Sequence, residues 1–165
     1  MFAYTDGFTS WSSNRNPDDV FQLLELLFKE FDIVGLQTGV FNVSTNGDCY
    51  LATSIIHDIR YDHAEVMAKF SVECQKIFEV VTTELSYTLG YETTHLKLRC
   101  GLHSGPVTDG VLRGLRSRFD IFGNTLNTSS RMESTGIPTI IQISRVTTDL
   151  LSTAGKGIWV KPRDG

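Results

Sequence analysis

Two short stretches of this chain carry residue types that could do chemistry. In Thr45-Asn46-Gly47-Asp48-Cys49-Tyr50, an aspartate leaves a tight turn at a sheet end, where a rigidly held carboxylate can meet a hard cation. An ordinary turn aspartate is the plain alternative. In residues 117–136, Asn127 and Arg131 stand four apart, so a helix would project both from one face. A guanidinium beside an amide suits a phosphate and a neighbouring sugar oxygen. Taken alone, the pair reads more simply as a solvated helix face or as an arginine paired with Glu133.

The elements that must position these residues are legible. Asn16-Pro17-Asp18-Asp19 offers an N-cap, a proline at the first helical position and two acids in the first turn. Val20, Phe21, Leu24, Leu27, Phe28 and Phe31 then recur at helical spacing until Gly35 stops the pattern. A strand over residues 39–45, the turn pair Asn46-Gly47 and a strand over 48–53 form a hairpin. Asp62 or Asp58 opens a second, longer helix with the stripe Val66, Phe70, Cys74, Ile77, Phe78, Val81 and Leu85, ending before Gly90. Residues 96–103 read as a strand. A glycine-rich region follows, broken by a short strand near Val111, then a helix over 124–134, a strand over 139–144 and a last helix near 146–151. The order predicts one α+β domain over residues 1–165, a ferredoxin-like βαββαβ core with helices on a mixed, mostly antiparallel sheet and later extensions.

Composition bounds the function. The chain has 165 residues, 41% hydrophobic and 21% charged, which excludes a disordered tail or a small disulfide scaffold. No apolar run approaches the ~20 residues of a membrane helix. Cys49, Cys74 and Cys100 are odd in number and lack a CxxC pair, so they read as reduced thiols of a cytoplasmic chain. A net charge of −4 argues against nucleic acid as a partner. Residues 1–100 hold seven basic against fourteen acidic side chains, and residues 101–165 hold eight against five. The division is either scatter or an acidic face for cations beside a basic one for phosphate.

Four segments, in order, resemble one family. Phe2-Ala3-Tyr4-Thr5-Asp6-Gly7-Phe8-Thr9, Gly47-Asp48-Cys49-Tyr50, Arg99-Cys100-Gly101-Leu102-His103-Ser104-Gly105-Pro106-Val107 and Phe122-Gly123-Asn124-Thr125-Leu126-Asn127-Thr128-Ser129-Ser130-Arg131-Met132 are similar to class III nucleotidyl cyclases. The resemblance runs from Phe2 to about Arg163. It implies that the ribose 3′-hydroxyl of ATP or GTP attacks its own α-phosphate, giving a 3′,5′-cyclic nucleotide and pyrophosphate in intracellular signalling. It implies two Mg²⁺ or Mn²⁺ ions held by two aspartates of one chain. It also implies a head-to-tail homodimer or heterodimer whose second chain reads the base and supplies an asparagine and an arginine.

Carried onto this sequence, Asp48 matches the second metal aspartate, Asn127 the ribose-orienting asparagine and Arg131 the transition-state arginine. Asp120 holds the second base-reading position with the adenylate residue type. Ser44 holds the first, where the family has lysine or glutamate. Tyr4 stands where the first metal aspartate belongs, and Asp6, two residues on, is the candidate substitute ligand. The chain also starts inside the family's first strand and stops before its final hairpin, so both ends read as truncated. Two readings follow: an ATP-favouring cyclase domain, or a degenerate one serving as a regulatory module or as one half of a heterodimer.

Overall fold

A computed structural model describes residues 1–54, 60–113 and 117–163. Strand β1 (Phe2–Asp6) alternates, with Ala3 and Thr5 buried on one face and Phe2, Tyr4 and Asp6 half-buried on the other. A short helix α1 (Phe8–Ser12) precedes α2 (Pro17–Thr38), which begins at the predicted Asn16-Pro17 signal. Helix α2 runs through Gly35 instead of stopping there, because one glycine inside a helix costs only ~1 kcal/mol. At Gly35 the helix also meets the Val40 carbonyl, 2.8 Å from where a Cβ would stand. The buried stripe is Leu23, Leu27, Phe31 and Gly35; of the predicted positions Leu27 and Phe31 are buried, Val20 and Phe28 pack half-buried against the core, and Phe21 is 61% exposed.

Strands β2 (Phe41–Asn46) and β3 (Cys49–Thr53) form the predicted hairpin, shifted by one residue. Asn46 pairs with Cys49, so the turn is Gly47-Asp48 rather than Asn46-Gly47. Gly47 takes φ +57° at the first central position, a conformation a side chain would resist. Helix α3 (His63–Leu89) starts after Asp62 and carries the predicted Phe70, Cys74, Phe78, Val81 and Leu85 into the core; Asp58 lies outside the described residues. A 3₁₀ turn (Tyr91–His95) leads into β4 (Lys97–Leu102). Strand β5 (Thr108–Leu112) pairs with β6 (Arg118–Phe122), a strand not anticipated from the sequence. Helix α4 (Asn124–Ser134), strand β7 (Ile141–Ile143), helix α5 (Arg145–Thr153) and a 3₁₀ turn (Gly157–Trp159) complete the fold.

The main sheet has the order β2-β3-β1-β4-β7, antiparallel throughout except for the β4–β7 pair. Its first four strands, with α2 and α3, reproduce the predicted βαββαβ core. Helices α2 and α3 pack on each other and on the face carrying Ala3, Tyr50, Leu98 and Cys100. Leu23, Leu27, Phe31, Phe70 and Phe78 fill this layer, each contributing roughly 1.5–3 kcal/mol by leaving water. Helix α4 lies on the opposite face, across β4 and β1. Among the described residues no helix is long and apolar enough to cross a membrane.

Candidate active site

Asp48 sits in the hairpin turn, 6% exposed, with Oδ2 lacking any hydrogen-bond partner. Strand β1 brings Tyr4 opposite Cys49, and the Tyr4 hydroxyl is a hydrogen-bonding neighbour of the Asp48 carboxylate. Burial raises the Asp48 pKa above the ordinary carboxylate value, while its own N–H, the Tyr4 hydroxyl and the Thr5 N–H oppose the shift. The Asp48 charge, followed by burial, pushes the Tyr4 phenol up. Tyr4 is therefore a neutral donor at neutral pH.

Asp6 shares the Tyr4 face but is held elsewhere. Its Oδ1 is 3.1 Å from Arg99 Nη1, and Arg99 Nε is 2.8 Å from Oε1 of the buried Glu133 on α4. The simple alternative of an Arg131–Glu133 pair is thereby corrected: positions 131 and 133 lie on opposite sides of α4, and Glu133 turns inward to Arg99. Neither Arg99 nor Glu133 stood out in the sequence. No local pattern in the sequence marks this contact, which the structure shows as Ser129 donating to the Gly101 carbonyl at 3.0 Å and seating α4 on β4.

Asn127 and Arg131 are both exposed on the outer side of α4, opposite the buried Ser129 and Glu133. No described acidic side chain pairs with Arg131, and no described ion pair or hydrogen bond joins either residue to Asp48. The buried Asp48 carboxylate and the exposed amide–guanidinium pair thus belong to separate parts of one chain.

The two base-reading candidates lie on neighbouring strands. Ser44 is exposed beside an irregularity in β2, where Asn42 and Ser44 pair with the consecutive residues Ala52 and Leu51 and Val43 is the extra residue. Asp120 is half-buried in β6, where its Oδ1 accepts from the Ile121 N–H at 3.0 Å and its Oδ2 lies 3.4 Å from Arg118. A T-shaped contact between Phe41 and Phe119, 5.5 Å between centroids, joins β2 to β6.

The chain matches the adenylate and guanylate cyclase catalytic domain model over residues 1–164. It belongs to that family. It is 40% identical over 151 residues to the receptor-type guanylate cyclase gcy-28 of Caenorhabditis elegans, covering 91% of this chain and 11% of that protein. It is 37% identical over 149 residues to the germination-specific adenylate cyclase of Dictyostelium discoideum, covering 87% of this chain and 16% of that one. The chain therefore spans a small part of these relatives. Among solved structures, the guanylate cyclase domain of Catenaria anguillulae RhGC in complex with GTP superposes with TM-score 0.77 at 33% identity, covering 91% of this chain and 79% of that one. The catalytic core of a rhodopsin-guanylyl cyclase with converted specificity, in complex with ATPαS, gives 0.81 at 34%, covering 99% and 83%.

The family resemblance implies a pair of divalent cations, and the residues present do not fit them. Two bridged cations need two facing carboxylates free to coordinate. Here Asp48 faces a phenol and Asp6 is paired with Arg99. Among the described residues, no cluster of three or more His, Cys, Asp or Glu side chains could hold a metal ion.

Proposed function

We propose that this cyclase domain supplies the nucleotide-orienting half of an ATP-directed cyclisation site formed between two chains. The observation that carries the reading is the pair Asn127 and Arg131, exposed side by side on α4 with no side-chain ion pair or hydrogen bond among the described residues, while Glu133, two residues from Arg131, is committed to Arg99. In that role Asn127 orients the ribose so that its 3′-oxygen lies in line with the α-phosphate. Arg131 opposes the negative charge that grows on the α-phosphate as the new P–O bond forms and pyrophosphate leaves. Asp120 accepts from the adenine amino group, and Ser44 adds a hydrogen bond that either purine can satisfy.

The chain's own acidic half does not complete a second such site, because Tyr4 brings no charge to Asp48. A heterodimer with a chain holding both metal aspartates is the assembly that uses what this domain retains. The test mixes this chain with a cyclase chain that has both aspartates but lacks the asparagine–arginine pair. The expected result is cyclic AMP from the mixture, none from either chain alone, and loss of product with Arg131→Ala. A silent mixture in which the chains demonstrably associate would instead favour the regulatory module, the reading that the Tyr4–Asp48 contact suits.

A further inference from the structure

On the face of the sheet that carries Tyr4, Asp6 and Arg99, Arg99 is the cation that meets two carboxylates, while Lys97, opposite Asp6 in the strand register, donates to the Thr94 carbonyl. Arg99 reaches Asp6 through Nη1 and Glu133 through Nε, and its guanidinium carbon stands 6.0 Å from the Tyr4 ring centroid. The side chain of Glu133 is 9% exposed and that of Arg99 22%. A buried carboxylate is tolerated only when it is paired, so Glu133 depends on Arg99. The planar guanidinium holds Nη1 toward a carboxylate on β1 and Nε toward another on α4 in one fixed geometry, which the single rotatable ammonium of a lysine does not preset.

We propose that Arg99 is the resident cation of this acidic face, a positioning residue that neutralises Asp6 and Glu133 and clamps α4 to β1. The inference rests on the reading above for the importance of α4, whereas the clamp stands on the ion pairs themselves. It assigns Asp6 to Arg99 rather than to an external metal, leaving Asp48, beside Tyr4, without a cationic partner among the described residues. It also links two surfaces of the proposed assembly, since the β1 end that carries Asp6 is tied through Arg99 and Glu133 to the helix presenting Asn127 and Arg131.

The sign of the expected effect is specific. With Arg99→Met, Asp6 and Glu133 lose the cation they share, and a hard divalent cation in its place gains two carboxylate ligands. The experiment titrates Mn²⁺ alone into the 165-residue chain, reading free Mn²⁺ by electron paramagnetic resonance, with no nucleotide and no partner chain. We expect weak binding in the wild type, binding about tenfold tighter or more with Arg99→Met, and loss of that gain in Arg99→Met/Asp6→Asn. In the wild-type background, Asp6→Asn should leave Mn²⁺ affinity unchanged. Lys97→Met removes a charge opposite Asp6, where Lys97 donates to the Thr94 carbonyl, and should not reproduce the gain.

Amide hydrogen exchange over residues 124–134 reads the clamp independently: faster exchange is expected with Arg99→Met and an intermediate rate with Arg99→Lys. The proposal is overturned if Asp6→Asn in the wild type weakens Mn²⁺ binding, which would make Asp6 a ligand already. Unchanged α4 exchange in Arg99→Lys also overturns it, as does an Arg99→Met chain that gains no Mn²⁺ affinity. Should Arg99→Met fail to fold, Asp6→Asn and Arg99→Lys decide. Failure of the mixing experiment leaves these readouts untouched, so the two proposals fail separately.

Discussion

The backbone of Glu133 passes so close to Gly101 that a Cβ at position 101 would stand 2.1 Å from the Glu133 amide nitrogen. The Ser129 carbonyl oxygen would lie 2.5 Å away, so no side-chain adjustment relieves the clash. Helix α4 rests on β4 because position 101 has no side chain, and this contact sets the height at which Asn127 and Arg131 are displayed.

Gly101→Ala must therefore lift α4 from the sheet. Overpacking against backbone costs about 1–3 kcal/mol, and separation of the Arg99–Glu133 pair adds to it. A thermal melt should show a drop of several degrees, with hydrogen exchange rising first in residues 124–134. An unchanged melting temperature would contradict the close packing.

Asp48 has its pKa raised in the folded chain by burial. The folded state holds that proton more tightly than the unfolded chain does, so the group's contribution to stability is fully present below the unfolded value of about 3.9. It is lost as pH rises through the raised folded value. Because burial disfavours the charged carboxylate, Asp48→Asn should raise the melting temperature at pH 7, with a smaller difference near pH 4. Equal melting of the two proteins at both pH values would contradict this.

Tyr50 is buried at 1% exposure, and its hydroxyl donates to Asp32 Oδ1 at 2.6 Å, an oxygen that also accepts from Asn42 at 3.0 Å. This pair ties α2 to β2 and β3. Tyr50→Phe should cost about 1–2 kcal/mol in urea unfolding, within the range for a hydrogen bond to a charged group, without altering the denaturant slope.

On the proposed reading, discrimination between ATP and GTP would depend on how β6 is held against β2. In an assembly that makes product, ATP should be favoured by a small factor, because Asp120 reads the purine edge and Ser44 accepts either base. Asp120→Cys should abolish that preference. Phe119→Ala, which removes the ring contact to Phe41, should weaken the preference while lowering stability by about 0.5–1.5 kcal/mol beyond the lost area. Competition kinetics with both nucleotides measure the ratio.

Local rules were enough for much of this fold. Pro17 with its acids opened α2, Gly47 placed the hairpin, and the spacing of Phe70, Cys74, Phe78, Val81 and Leu85 gave α3 its buried stripe, because capping, turn conformation and helical period act within a few residues. The same rules put Asn127 and Arg131 on one face of α4, and the family motifs flagged Tyr4 and Asp48. They failed where the partner lies far along the chain. Strand β6 is a different case: its partner β5 is close in sequence, and the alternation Arg118-Phe119-Asp120-Ile121 covers only four residues beside a glycine-rich stretch. On α2 the predicted Val20, Leu27, Phe28 and Phe31 reach the core, whereas Leu23 is buried and Phe21 left exposed because contacts with α3 and the sheet choose among neighbouring apolar positions. Whether Glu133 serves Arg131, two residues away, or Arg99, thirty-four away, was decided only when α4 settled on Gly101 and turned that carboxylate inward. Asp6 was likewise settled by tertiary structure: in sequence it is a carboxylate beside Tyr4, and in the fold β4 sets Arg99 beside it, because strand register determines which charge each carboxylate meets.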